Sequence, residues 1–352
     1  NKKTKDEFPN GIKAYGADAL RFCFCALAST GRDINFDLQR IEGYRNFCNK
    51  LWNASRFVYM TANEYKFEDK IKFDNLSTYE KFIIIKLDDL VIEYKKHCTS
   101  YRFDLMASSL YSFIWNEYCD WYLEIAKVEI DRGNTYTKNI LIYTLQILLK
   151  LCHPIIPYIT EEIWKEMKER NYTDDNILMN SKFPSQQKIF KDENIKEEVL
   201  LMKDFINLIR KARSDLSIHP KIELDIFCIY EGESIDKCLN NNNIIIKKLC
   251  KLKNVFLKDD SYNIDECITI TLKNIKIFIP IKNIIDIKSE IKRLQKSLSN
   301  LEINLEKIEA KLNNKNFIEK APSDIIQSNF NKKDYISKEI ASIKELLATL
   351  SD

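Results

Sequence analysis

The chain has 352 residues, 45% hydrophobic and 11% aromatic, enough for two or three domains with real cores. Its 55 basic and 52 acidic residues leave a net charge of +3, so any positive footprint for nucleic acid has to be local. No apolar run approaches the roughly 20 residues that span a bilayer, and the basic start NKKTKDEF leads into no apolar signal segment, which excludes a membrane partner and points to the cytoplasm.

Residues 1–42 read as a junction. A loop around Phe8, Pro9, Asn10 and Gly11 precedes a helix through Asp18, Ala19, Leu20, Arg21 and Phe22, and Thr30-Gly31-Arg32-Asp33 is a turn signal. Residues 43–57, GYRNFCNKLWNASRF, follow as a helix with two faces. Arg45, Asn49, Asn53 and Arg56 are spaced by four, four and three along one face, with Trp52 and Phe57 at its border; Phe47, Leu51, Ala54 and Val58 form the packing face. Guanidinium forks, amides and flat rings are the groups that read unstacked RNA bases, although a solvated amphipathic helix has the same periodicity.

Helical patterning continues to about residue 185. Phe82, Ile83, Leu87, Leu90 and Val91 mark an apolar stripe over 79–97, and 103–125 and 139–151 behave alike. Pro154 and Pro157 mark a boundary, because proline inside a helix costs roughly 3 kcal/mol. Four or five antiparallel helices make a bundle over 43–190, with Trp115, Tyr118, Trp121 and Tyr122 placed in its core and His153 in a structural role.

From 191 to 282 the pattern becomes a small α/β unit. A helix over 197–216 carries the best basic cluster of the chain, Arg210, Lys211 and Arg213, which is either a phosphate contact or a solvated face. ELDIFCIY alternates as a strand, a helix runs over 235–252, NVFLK is a second strand, and Lys273-Asn274 splits CITITL from IKIFIPI as a two-residue hairpin turn. In the last segment, 283–352, Ile284, Ile287, Ile291, Leu294, Leu298, Leu301, Leu305, Ile308 and Leu312 alternate by three and four, the signature of a coiled-coil seam. After a break at 313–322, Ile336, Ile340, Ile343, Leu347 and Leu350 restore it, so two helices fold back as an antiparallel hairpin, its first arm about 45 Å long. The fold class is therefore mainly α: a helical bundle, a small α/β unit and a C-terminal antiparallel coiled-coil hairpin.

No catalytic constellation is present. His97, His153 and His219 lack metal-ligand spacing, no glycine-rich phosphate loop occurs, and the ten cysteines include no C-x2-C pair, so no metal or cofactor is expected on this chain. Glu161-Glu162 and Asp88-Asp89 are adjacent on helices and point to different faces.

The stretch 43–57 also carries a resemblance. With GADALRF (16–22) and ALASTGRDINFD (26–37) before it, it resembles valyl-tRNA synthetase just downstream of the catalytic-domain signature loop. FDLMASSLYSFIWNEYCDWYLEIAK (103–127) and LLKLCHPIIPYITEEIW (148–164) resemble helices of the class I anticodon-binding bundle, and NFIEKAPSDII (316–326) the turn of that family's terminal coiled coil. Neither the HIGH-type nor the KMSKS-type motif occurs; both lie upstream of the matched region in the family, as do the editing domain and the amino-acid pocket. The resemblance implies the tRNA-binding C-terminal portion of a valine-tRNA ligase, inactive alone, whose partners are the tRNA for valine and the catalytic portion of the same synthetase, with no DNA partner. It implies ATP with magnesium for the complete enzyme. Anticodon recognition falls to Arg45, Asn49, Asn53, Arg56 and Phe57, and tRNA backbone contacts to Arg21, Arg32, Arg210, Lys211, Arg213, Lys288, Lys292, Arg293 and Lys296. Arg21 and Arg32 have carboxylates nearby in sequence, Asp18, Asp33 and Asp37, as alternative partners. A leucyl or isoleucyl relative, and a helical scaffold with a coiled-coil interaction arm, are the competing readings.

Overall fold

The computed structural model describes residues 8–9, 11–29, 37–186, 192–257, 267–281, 287–314 and 323–351. It divides into two compact units, Asn1–Leu200 and Leu201–Asp352.

The first unit is a helical bundle. Helix α1 (Ala17–Leu27) packs on α2 (Leu38–Thr61), whose Asp37 N-cap accepts the Gln39 amide at 2.8 Å. Helix α2 starts ahead of the expected boundary at 42/43, and Ala19, Cys23 and Ile41 share one small core with Tyr15, Leu27, Leu38 and Tyr44 around it, so the junction helix belongs to the bundle. Helix α3 (Thr78–Thr99) opens on a capping box: Ser77 Oγ accepts the Glu80 amide while the Glu80 carboxylate accepts the Ser77 amide at 2.9 Å. Glu80 is buried, and desolvation raises its pKa above the usual carboxylate value.

Helix α4 (Phe103–Ser112) runs through a wide π-type segment (Phe113–Tyr122) directly into α5 (Leu123–Asp131). Tyr118 and Tyr122 on that segment are fully buried, whereas Trp115 is only half-buried, stacked on Tyr111 with ring centroids 5.5 Å apart. The core role expected for all four aromatics thus holds for the tyrosines and not for Trp115 or Trp121, which is also half-buried. Helix α6 (Thr137–Cys152) is apolar around most of its circumference and is buried as the central helix. Helix α7 (Pro157–Glu169) begins on proline at its first turn, where the missing N–H costs nothing. Its exposed amides are met from α1: Asp18 accepts the Ile159 amide at 2.7 Å and the Tyr158 amide at 3.3 Å.

The second unit is built on α8 (Glu193–Asp215), within which the division between the units falls, and a four-stranded sheet ordered β2-β1-β4-β3. Strands β1 (Leu224–Tyr230) and β2 (Leu252–Leu257) are parallel, joined by a crossover through α9 (Glu233–Asn241) and α10 (Asn243–Cys250). One helix was expected over 235–252; the structure breaks it at Asn242, whose side-chain amide donates to the Cys238 carbonyl at 2.8 Å and satisfies the end of α9. Strands β3 (Cys267–Leu272) and β4 (Ile275–Pro280) form the expected hairpin about Lys273-Asn274, with Lys273 at φ 50°, and β4 also pairs antiparallel with β1.

Helices α11 (Ile287–Leu312) and α12 (Ser323–Ser351) form the coiled coil. Their ion pairs run in opposite numerical order, Glu302 with Lys344 and Glu309 with Lys333, both at 2.9 Å, which makes the pair antiparallel. Leu294 and Ile340 are its buried residues, whereas the other described seam side chains stay half-exposed, because two helices alone cannot enclose a seam. Ile284 of the expected seam lies outside the described residues.

Candidate nucleic-acid interface

Two-faced α2 carries the candidate site. Phe47, Leu51, Ala54 and Val58 are buried, and Arg45, Asn49, Asn53 and Arg56 are exposed, as a 3.6-residue period requires of this spacing. From Arg45 to Arg56 the polar stripe is about 17 Å long at about 1.5 Å per residue, longer than three stacked bases at about 3.4 Å each. Trp52 and Phe57 are half-buried at its two borders. Phe57 lies under Lys127, whose Nζ is 5.2 Å from the ring centroid. Along the same flank, Lys50 is held at 2.6 Å by Asp120, with its Nζ 3.8 Å from the Trp115 ring.

What separates this stripe from an ordinary wet helix face is the state of its cations. Among the described residues, Arg45 and Arg56 make no ion pair or hydrogen bond, and neither do Asn49 and Asn53. The other described arginines are held by carboxylates or carbonyls: Arg40 by Asp37, Arg102 by Asp104, Arg132 by Glu129 and Arg170 by Glu166. Arg21 donates to the carbonyls of Ile155 at 2.8 Å and Pro154 at 3.0 Å, tying α1 to the turn before α7, so its donors are engaged by protein and not by Asp18. The stripe also includes Asn46 and Met60, the latter 75% exposed, which sequence reasoning passed over although both fall within the same arc.

The expected backbone contacts in the second unit separate in the same way. Arg213 is 8% exposed and donates to the carbonyls of Ile222, His219 and Lys251 at 2.7, 3.3 and 3.3 Å, which corrects its reading as a phosphate contact: it is an internal brace. Burial lowers its pKa from the usual arginine value. Arg210 donates to the Leu249 carbonyl at 3.1 Å, and Arg293 to the Asp215 carbonyl at 2.7 Å, fastening α11 to the end of α8. Lys211, Lys292 and Lys296 are exposed. Arg32 lies outside the described residues, as does the side chain of Lys288.

Among the described residues no group of histidine, cysteine or acidic side chains is placed to hold a metal. Burial pushes the Cys48 thiol up to about 12 and the Cys25 thiol to about 11, so both are neutral at physiological pH. Also among the described residues, no helix is long and apolar enough to cross a membrane.

Residues 80–228 match the family described as the anticodon-binding domain of tRNA ligases, and residues 286–351 match the tRNA-binding arm of valyl-tRNA synthetase. The first match starts within α3 and ends in β1, so α2 precedes it; the second covers both helices of the coiled coil. A bundle of the anticodon-binding type followed by a tRNA-binding arm defines the class, a tRNA-binding part of a tRNA ligase. The relatives narrow it. The valine-tRNA ligase of Buchnera aphidicola subsp. Acyrthosiphon pisum is 39% identical over 337 residues, which are 94% of this chain and 35% of the relative. That of Legionella pneumophila (strain Lens) is 38% identical over 333 residues, 92% of this chain and 36% of the relative, and that of Francisella tularensis subsp. tularensis is 36% identical over 331 residues, 92% and 35%. The chain belongs to the valyl-tRNA synthetase family and corresponds to its C-terminal part. It spans about a third of the length of the curated relatives it matches.

Proposed function

We propose that this chain holds the tRNA for valine during ATP- and magnesium-dependent attachment of valine, in the cytoplasm, and that the α2 stripe reads the anticodon. The chemistry belongs to the catalytic portion of the same synthetase; the chain's contribution is orientation, which lowers a barrier by fixing reactants before they meet. The observation that carries this reading is the pair Arg45 and Arg56, the two arginines left without a protein partner among the described residues, one near each end of a stripe of amides. Unpaired guanidinium forks are available for base edges and phosphates, and Asn49 and Asn53 between them offer both donors and acceptors. Lys292 and Lys296 on the arm supply charge without base readout, which fixes register and adds affinity.

Binding of tRNA with a valine anticodon, compared with the same tRNA carrying an isoleucine or leucine anticodon at two salt concentrations, tests the reading. Preference for the valine anticodon together with steep salt dependence supports it. A preference for another anticodon favours a relative of different specificity, and salt-independent association with no RNA favours a protein scaffold.

A further inference from the structure

A recess of about 420 Å³ opens at the Arg45 end of the α2 stripe, and its walls come from three helices. Arg45 and Asn49 line it from α2, Asp18 and Ala19 from α1 with Tyr15 and Gly16 just before it, and Tyr158 and Ile159 from the first turn of α7. Tyr158 is 68% exposed although its neighbours Ile155 and Ile156 are buried, so a large flat ring is held at the rim by a rigid helix start. The rigidity comes from Asp18, whose carboxylate accepts the Tyr158 and Ile159 amides and is thereby engaged inside the protein. What remains available in the recess is one phenol ring, one guanidinium and one amide, the last two without protein partners among the described residues.

We infer that this recess is a subsite for one unstacked nucleobase of the bound RNA, its face on Tyr158 and its edge toward Asn49, with Arg45 meeting the adjoining phosphate. The volume lies within the range of small-ligand pockets, an exposed aromatic held rigidly offers stacking at little entropic cost, and an asparagine amide supplies the paired donor and acceptor that a base edge presents. The inference rests on the reading of α2 as an RNA-binding stripe and extends it onto α7, which the spacing within 43–57 has no means of reporting. Tyr158 is then a base-stacking residue contributed from more than 100 positions downstream of Arg45.

Tyr158→Ala and Tyr158→Phe in the full chain, with binding of tRNA carrying the valine anticodon measured across a salt series, test the subsite. Tyr158→Ala is expected to weaken binding between about 5-fold and about 150-fold, with an unchanged slope of log affinity against log salt, since a stacked base and not a phosphate is lost. Tyr158→Phe keeps the ring and is expected to bind within 2-fold of the parent. Arg56→Ala, at the far end of the stripe, is the control for the underlying reading. If Arg56→Ala weakens binding and Tyr158→Ala does not, the subsite is overturned and the stripe stands; if neither does, both are. A Tyr158→Ala variant that loses helical circular dichroism is replaced by Tyr158→Gln, judged by the same criteria.

Discussion

Arginines of one chemical type meet opposite fates in this molecule, and the difference lies in backbone carbonyls that sequence spacing does not display. Arg45 and Arg56 were legible as a pair because α2's own period places them, with Asn49 and Asn53, opposite Phe47 and Leu51. Arg213 was not, since its acceptors, the carbonyls of Lys251, His219 and Ile222, come from loops that fold back on α8. Removing a partner from buried acceptors costs their desolvation, so Arg213→Ala is expected to lower the stability of the second unit by about 2 to 3 kcal/mol in urea titration. Arg45→Ala, on an exposed side chain with no partner among the described residues, is expected to change stability by no more than about 0.5 kcal/mol while weakening tRNA binding. Equal stability losses in the two variants would contradict this division between brace and contact.

Within elements, long amphipathic helices and the heptad seam were readable from period alone, and their junctions were not. The π-type segment of Phe113–Tyr122, which buries Tyr118 and Tyr122 in the core, carries the same hydrophobic pattern as the α-helices on either side, so period alone does not mark it. The break at Asn242 depends on one side chain turning back to the Cys238 carbonyl. The turn before α7 has a similar local lock: His153 Nδ1 lies 2.8 Å from Thr160 Oγ1, and Nε2 lies 3.8 Å from Glu161. Burial lowers the His153 pKa below 6.5, and it outweighs the opposing pull of Glu161. A histidine whose folded pKa is depressed binds its proton more readily when unfolded, so its contribution to stability is present in full above about 6.5 and is lost as pH falls through the folded value. The melting temperature is therefore expected to decline below pH 6.5, and His153→Gln to flatten that decline; an unchanged pH profile in the variant would remove His153 from this role.

For the whole molecule, the proposed function puts its two recognition chemistries in different places: base-reading groups on a bundle helix and phosphate-facing lysines on the arm. At about 1.5 Å per residue the 26 described residues of α11 extend about 39 Å, and Ile284, where the expected seam begins, lies outside the described residues. The order of bundle, α/β unit and antiparallel hairpin was legible from patterning; the parallel pairing of β1 with β2 and the bond from Arg293 to the Asp215 carbonyl depend on residues far apart in the chain and were not. If the arm contributes charge alone, Lys292→Ala combined with Lys296→Ala lowers the salt slope of tRNA binding by about 2 and leaves the preference between anticodons intact. An unchanged slope would place those lysines in solvent. The most direct test of the central claim is the ratio of dissociation constants for tRNA with a valine anticodon and the same tRNA with the anticodon exchanged, measured for the parent chain and for Arg56→Ala. The account predicts a ratio well above one in the parent that falls by about 5-fold or more in the variant, corresponding to about 1 to 3 kcal/mol of base discrimination. A ratio of one in the parent, or one that Arg56→Ala leaves unaltered, would contradict the claim that α2 reads the anticodon.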